Sequence, residues 1–560
     1  MTELQTDIPV LIVGAGPTGL TLGIELARRG VPFRLIDREL NRTVTSRALG
    51  TQPRTVEVFQ MMGIPVSALQ PATRPRGFQF REGLRILGKV DFNDPHGQPA
   101  LLIMDESDTE RVLEARLDQL GAHVERGVEF TGLRAEGDRA IAAVRSSNGV
   151  AEVSARFLIG CDGAASIVRR EAGIDFVGGS YPEHFLLADL ELDWDVPHDE
   201  GTIWFGDQAG LAAAIPLPAD RRWRIIVALG LDEADRAHFS ESEAAARVEQ
   251  ELRERSQIAC CRIGEPHWAS AFHVHRKLAV HFRRGPILLA GDAAHVHSPV
   301  GGQGMNTGIQ DAFNLGWKLA LAARNLAAPD LLDSYETERQ PVARAVLRGT
   351  DLGARLVLGA HPIGRAIREY VFPTVTGFSP VRDRLQSALS ELQVNYRHSS
   401  LSVESGTVHA RRGIRRRHGL RAGDRVPDAH LLDAPSAMPV TVFERFAQGW
   451  TLLAFPTEPR SEETAPALSR IAALTREMAG DLVRLDVVAE RTDGEPVTGS
   501  SLLDLTGEVR RRFGVERGQL LLVRPDGYLG FRGRIDRPGE LASYLARIFA
   551  MRLREATTLA

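Results

Sequence analysis

Pro9-Val-Leu-Ile-Val13 runs straight into Gly14-Ala-Gly-Pro-Thr-Gly19, and Leu20 to Arg29 follows with apolar residues at helical spacing. The first run reads as a strand buried on both faces. Gly30 ends the helix, and Phe33-Arg-Leu-Ile-Asp37 supplies a second strand. A βαβ unit of this kind requires a parallel sheet, which sets the fold class as α/β. In the turn, Gly14 permits the tight bend, Gly16 lets a ligand reach the backbone and Gly19 lets helix and sheet close up. The helix start offers N–H groups to phosphate, and Asp37, placed after the second strand, can accept from a ribose hydroxyl. Gly14, Gly16, Pro17, Thr18, Gly19, Asp37 and Arg38 are therefore candidate contacts to a dinucleotide. The bland alternative is a strand–helix turn that is merely tight.

Two further strand–turn segments come much later. Ala155 to Asp162 ends in Gly160-Cys-Asp-Gly163, and Pro286 to Asp292 ends in Gly291-Asp-Ala-Ala-His295. The latter continues through Pro299-Val-Gly-Gly302-Gln-Gly304-Met-Asn306 into a helical stretch that runs to about Leu358. A helix N-terminus approached by glycines can hold partial negative charge on a ring as well as on phosphate. Between these segments, residues 176–279 alternate apolar and polar, as in Phe185-Leu-Leu-Ala-Asp-Leu-Glu-Leu192, which suits an antiparallel sheet. The cofactor-binding layer is thus expected to be discontinuous, 1–175 and 280–350, interrupted by a β-sheet domain over 176–279.

Composition narrows the field. The chain has 560 residues, and at ~150 residues per domain three to four domains are expected. The charge balance is 68 − 72 = −4, without the excess a nucleic-acid binder would carry. Arg411 to Arg417, the one basic cluster, reads as a solvated linker within a helical and linker segment over 351–418. Three cysteines, Cys161, Cys260 and Cys261, fit neither a disulfide framework nor a metal site. The N-terminus has no signal-peptide pattern, and no run reaches the ~20 apolar residues of a membrane helix, so a cytoplasmic protein is expected. Only Lys89, Lys277 and Lys318 are lysines, which reads as the codon bias of a GC-rich genome.

From 419 to 560 the order of elements is β-α-β-α-β-β-α, that of a thioredoxin-like domain. Where a redox-active version would carry CxxC, this chain has Pro456-Thr-Glu-Pro-Arg-Ser461, and no cysteine follows Cys261. Dithiol exchange is excluded there, leaving packing or interface as the role.

Taken together, the GxGxxG unit, the Cys-Asp-Gly motif and the Gly-Asp-Ala-Ala-His block with its Gly-Gln-Gly-Met-Asn tail resemble class A flavoprotein aromatic hydroxylases, the monooxygenases of the p-hydroxybenzoate hydroxylase fold, over roughly residues 8–350. Arg47, in Thr45-Ser-Arg-Ala48, matches an arginine that lies near the flavin in that family. With its tail, the chain is similar to the phenol hydroxylases and polyketide-tailoring hydroxylases. The resemblance implies a Rossmann-type domain binding FAD, a transient NAD(P)H, O₂, and oxygen transfer from a flavin C4a-hydroperoxide to an electron-rich aromatic, phenolic or polycyclic. On this reading Gly14, Gly16, Gly19 and Asp37 hold the ADP half with Arg47 nearby. Asp162 serves FAD and the passing nicotinamide, Gly291 and Asp292 take the ribityl chain, and Pro299 and Gly302 to Asn306, with Gly304 and Met305, line the isoalloxazine.

There is one departure. The family's glutamine is replaced in Glu106-Ser-Asp-Thr-Glu110, and a carboxylate so near phosphate would be repelled unless protonated or turned away, so Glu106 receives no binding role. His295 reads as a structural histidine bonded to backbone. Tyr181, His184, Trp204, Phe205 and Trp223 are candidates for the substrate wall, with ordinary sheet packing as the alternative for each. No residue is assigned a catalytic role, and the partner is a small aromatic molecule bound by a monomer or homodimer. A flavin halogenase is disfavoured because its Trp-x-Trp-x-Ile-Pro motif is absent. Baeyer–Villiger oxygen insertion on the same fold, or a non-catalytic flavin-binding sensor or scaffold, remain as alternatives.

Overall fold

The structure, a computed structural model, describes residues 6–42, 48–70, 72–91, 101–206, 210–229, 239–258, 262–264, 266–297, 302–358, 390–405, 419–457, 464–490 and 500–550. β1 (Thr6–Val13) feeds α1 (Pro17–Ala27), and β2 (Phe33–Asp37) returns parallel to β1 with Val10 opposite Phe33. Val10, Leu11, Ile12 and Val13 are all buried, so this strand shows no polar alternation. α2 (Pro53–Met61) follows, and then the hairpin β3 (Gly77–Glu82) and β4 (Arg85–Asp91). α3 (Glu106–Gln119) leads back to β5 (Val124–Arg126), parallel to β2. β6 (Glu129–Glu136), β7 (Arg139–Ser146) and β8 (Gly149–Gly160) form an antiparallel ladder, and β8 also runs parallel to β1, Leu11 facing Leu158.

The second sheet has nine strands. β9 (Phe176–Asp193), β10 (Glu200–Phe205), β11 (Leu211–Pro216) and β12 (Arg222–Ala228) form its middle, with α4 (Glu241–Ser256) packed on one face and β13 (Trp268–Ala279) along the other edge of β9. One feature departs from the boundaries expected from sequence. The β3–β4 hairpin lies within 1–175, yet it pairs with the inserted sheet, Gly77 standing opposite Glu200. Its docking covers the edge of β10 that would otherwise present unpaired N–H and C=O groups.

β14 (Ile287–Leu289) then rejoins the first sheet, parallel to β8 with Ile159 opposite Leu288. α5 (Gly304–Ala323) is buried from Asn306 to Ala322, and α6 (Asp333–Leu358) packs beside it. The linker cluster Arg411 to Arg417 lies outside the described residues.

In the C-terminal unit, β15 (Trp450–Phe455), α7 (Thr464–Ala479), β16 (Val483–Ala489), α8 (Glu508–Phe513), β17 (Gln519–Val523), β18 (Leu529–Arg534) and α9 (Pro538–Leu545) follow one another. Its central strand order is β18-β17-β15-β16, with β16 parallel and β17 antiparallel to β15. Val403–Glu404, Ser500–Leu503 and the hairpin of His430–Asp433 with Met438–Thr441 widen it to eight strands, an extension the sequence pattern did not suggest.

The turn after β17 docks this unit on the first layer. Arg524 donates to both Glu338 oxygens at 2.7 and 2.8 Å and to Asp526 at 2.6 Å. Asp526 Oδ2 also accepts from Trp317 Nε1 at 3.1 Å and Asn314 Nδ2 at 3.2 Å, while Arg54 Nη2 donates to its backbone carbonyl at 2.7 Å. Lys318 Nζ completes the group, 2.7 Å from Glu338. Arg524, Glu338, Asp526, Lys318 and Arg54 are all fully or nearly fully buried. A charge so enclosed is tolerable only while its partners are present.

Candidate cofactor and substrate site

The glycines of the first turn are enforced by contact. Gly14 has φ +101°, and a Cβ there would lie 2.4 Å from the Cys161 carbonyl oxygen. A Cβ on Gly19 would lie 1.9 Å from the Gly14 carbonyl oxygen. Gly16 differs: at ordinary φ, its nearest atom would be Glu110 Oε1 at 3.9 Å. It sits at the start of α1, where Pro17 occupies the first turn and no side chain caps the helix. The slot over Gly16 is therefore open, lined by N–H groups, and suited to phosphate.

Asp37 closes the turn from the end of β2. Its Oδ2 accepts the Ala15 N–H at 2.7 Å and its Oδ1 accepts the Glu39 N–H at 2.9 Å. The carboxylate thus pins the glycine turn. Arg38 is exposed and pairs with Glu39.

The three separated motifs meet. Gly14 packs on the Cys161 backbone, and Thr18 is wedged between Gly291 and Gly308, where added Cβ atoms would stand 2.5 and 2.4 Å from its hydroxyl. Asp162 is used locally: its carboxylate accepts from Ser166 Oγ at 2.6 Å and from the Ile167 and Val168 N–H groups at 2.7 and 3.1 Å. It shapes the loop into the short helix Ile167–Glu171. Asp292 is exposed just past β14.

His295 is buried, but its partner is a side chain and not backbone. Nε2 lies 2.7 Å from Asp311 Oδ2, Arg339 Nε donates to Asp311 Oδ1 at 2.6 Å, and the Gly291 N–H donates to Oδ2 at 3.1 Å. Burial alone would raise the Asp311 carboxyl, yet Arg339 and His295 hold it below the usual carboxylate range. This ion cluster fixes the Gly291–Asp292 corner against α5 and α6.

At the start of α5, Gly302 has φ +62° and Gln303 occupies the N-cap without a side-chain cap bond. Asn306, fully buried, holds the approach in place. Its Nδ2 donates to the Gly50 and Gly302 carbonyls at 2.8 and 2.7 Å, and its Oδ1 accepts the Gln52 N–H. Met305 is half-buried, and the His297 ring lies 3.8 Å from a Cβ position on Gly304. Arg47 and Pro299 lie outside the described residues.

Strand parity divides the proposed substrate wall. Trp204 and Trp223 point toward α4, where Trp223 meets Trp194 edge-on at 5.2 Å between ring centres. They are core, not wall. The opposite face carries Phe185, Ile203, Leu211, Ala213, Ile226 and Ala228, together with Phe205, whose ring stacks on Phe80 at 6.2 Å. This face looks to the first layer, because Leu217 and Ile215 beyond it pack with Leu49 and Ile103. The side chains of Tyr181 and His184 lie outside the described residues.

Two features were missed in the sequence. Arg224, fully buried on that same face, donates to both Asp189 oxygens at 2.7 and 2.8 Å and to Asp105 Oδ1 at 3.2 Å, tying the sheet to the start of α3. No local pattern announces a pair that strand register alone brings opposite. Glu110 is the other: it stands buried beside Gly16, and burial together with neighbouring Glu106 pushes its carboxyl up to about 8. Glu106 itself turns to the backbone, accepting the Ala48 N–H at 3.2 Å.

Comparison with known proteins agrees with this geometry. The family described as FAD binding domain matches residues 7–350. Pentachlorophenol 4-monooxygenase of Sphingobium chlorophenolicum is 33% identical over 541 residues, 95% of each chain. 6-Methylpretetramide 4-monooxygenase of Streptomyces rimosus is 33% identical over 95% of this chain and 92% of its own. Among solved structures, the anhydrotetracycline hydroxylase OxyS from Streptomyces rimosus superposes with a TM-score of 0.75 at 30% identity, covering 97% of this chain and 99% of that one.

Proposed function

The chain belongs to the FAD binding domain family, as a flavin-dependent aromatic monooxygenase, and from that premise we propose which residues do its work and what substrate it takes. The residues present fit FAD: the slot over Gly16 is open, and the starts of α1 and α5 carry no side-chain cap. When bound, FAD supplies two-electron reduction by a nicotinamide and activation of O₂.

The protein's part is placement and exclusion. Gly14, Gly16 and Gly19, with Asp37 behind them, hold the ADP half. The Gly291–Asp292 corner, fixed by Asp311 and Arg339, takes the ribityl chain. Gly302 to Asn306 face the isoalloxazine, where the N-terminal dipole of α5 favours the negative charge of the reduced ring. Opposite lies the apolar sheet face of Phe185, Ile203, Phe205, Leu211, Ala213 and Ile226, which desolvates a flat ring and keeps water from the reacting oxygen.

The breadth of that face is the single observation that carries the substrate reading. Among the described residues its charged groups, Arg224 and Asp189, are already committed to each other and to Asp105, so recognition rests on apolar area and favours a polycyclic phenol over a small charged one. The C-terminal unit is a thioredoxin-like domain without its dithiol. Its strand order β18-β17-β15-β16 with one antiparallel member supports this, and its buried ion group makes it a packing module. No helix among the described residues is long and apolar enough to cross a membrane.

The test is to isolate the yellow protein and follow NADPH consumption with a panel of simple phenols and polycyclic phenols. Stimulation by the polycyclic set, with a mass gain of one oxygen from ¹⁸O₂, is expected. Stimulation confined to monocyclic phenols would overturn the substrate assignment.

A further inference from the structure

Glu110 lies one turn into α3 and is only 6% exposed. Among the described residues beyond Gly16's own chain neighbours, its Oε1 alone comes within 4 Å of a Cβ position on Gly16, so it forms a wall of the open slot at the start of α1. The charged groups facing it come from three elements. Glu106 and Glu114 share its helix, Asp37 approaches from the end of β2, and Arg126 approaches from β5. The one cation facing it among the described residues is largely spent: Arg126 Nη2 is 3.1 Å from Glu114 Oε1, and Arg42 approaches the Oε2 of the same carboxylate at 3.4 Å. Asp37 is held to the Ala15 N–H. Three carboxylates and a desolvated pocket therefore surround this carboxyl, and a pyrophosphate would add further negative charge.

We propose that Glu110 is a further cofactor-facing residue, which works as a neutral carboxylic acid donating its O–H to the pyrophosphate over Gly16, so that the protein loosens its hold on the dinucleotide as the medium turns alkaline. A carboxylate can only accept, and would repel phosphate; the protonated group can donate. Burial and Glu106 already bring its protonation into the accessible range, pushing it up to about 8. The sign follows by linkage. The bound state keeps the proton that the free site loses above that pH, so raising the pH weakens binding, by up to about tenfold in Kd per pH unit.

The inference rests on the phosphate cradle proposed above, and the experiment separates the two. FAD is titrated into the full-length apoprotein at pH values from about 6.5 to 9.5, by quenching of flavin fluorescence. The expected Kd is flat up to about pH 7.5 and climbs roughly tenfold per unit above 8. Glu110→Gln, which keeps the donor and cannot ionise, should bind FAD tightly at neutral pH and lose the slope. Should that variant fold poorly, ADP and riboflavin serve as competing probes on the unaltered chain. ADP should carry the slope and riboflavin, lacking the pyrophosphate, should not. A flat profile for the parent, an unchanged slope in Glu110→Gln, or an equal slope for riboflavin would each overturn the role of Glu110. ADP failing to compete at any pH would instead remove the cradle itself.

Discussion

The backbone N–H of Gln52 donates to Asn306 Oδ1 at 2.8 Å across 254 residues of sequence. The same side chain holds Gly50 and Gly302, so one amide joins the start of α2 to the glycine approach of α5. Asn306→Ala removes three buried hydrogen bonds at about 1 kcal/mol each, and an apoprotein less stable by about 3 kcal/mol is expected in urea unfolding. The ratio of flavin to protein absorbance after purification should fall as well, because the loop facing the ring loses its anchor. Retention of full flavin content would count against the assigned placement of this loop.

Gly16 and Gly19 differ in what they tolerate. Gly19→Ala drives a methyl into the Gly14 carbonyl and should cost about 3 kcal/mol or prevent folding. Gly16→Ala meets nothing closer than 3.9 Å, so apoprotein stability should change by less than about 1 kcal/mol. Its FAD affinity should nonetheless fall at least about tenfold, because the methyl stands where phosphate approaches. Calorimetry of the apoproteins and fluorescence titration with FAD check the two effects separately.

Parity along β11 and β12 predicts opposite phenotypes for neighbouring positions. Ala213→Phe fills the apolar face turned to the first layer, and should lower kcat/KM for a polycyclic substrate by about tenfold or more with flavin content unchanged. Trp223→Phe should instead cost about 1–2 kcal/mol in unfolding, from the lost edge-on contact with Trp194, and leave substrate KM alone. Reversal of these two patterns would exchange the faces of the sheet.

Glu391 is buried against Gln310 at the start of α5, and burial pushes its carboxyl up to about 7. The unfolded chain loses this proton near pH 4.5, whereas the folded chain keeps it until about pH 7. Stability contributed by the group is therefore complete below about pH 4.5 and declines as pH rises to about 7. At 1.36 kcal/mol per unit the full decline is about 3 kcal/mol. Glu391→Gln should remove that decline, measured as the difference in urea unfolding free energy between pH 5 and pH 8.

The glycine turn was readable because its requirements are local: the conformation of Gly14 and the approach of Gly19 to Gly14 are set within six residues. The convergence of three motifs was readable only through their order and spacing. The orientation of the substrate sheet was not, since both faces are apolar and Trp204 and Phe205, adjacent in sequence, point to opposite sides. Nor could the pattern reveal that the 77–91 hairpin pairs with β10, an alliance made by an edge needing cover. Arg224 with Asp189 and Arg524 with Glu338 are buried pairs whose partners lie 35 and 186 residues apart. Single arginines and carboxylates in a chain a quarter charged carry no mark of where they will meet.

The turn at Arg524 has a bearing on how this protein is made. Its cofactor cradle leaves the ribosome first, with Lys318 already beside Glu338, but the second cation on that carboxylate, Arg524, follows only 186 residues later. A stop codon placed before position 524 should leave the buried Glu338 carboxylate half-neutralised and lower the yield of yellow protein.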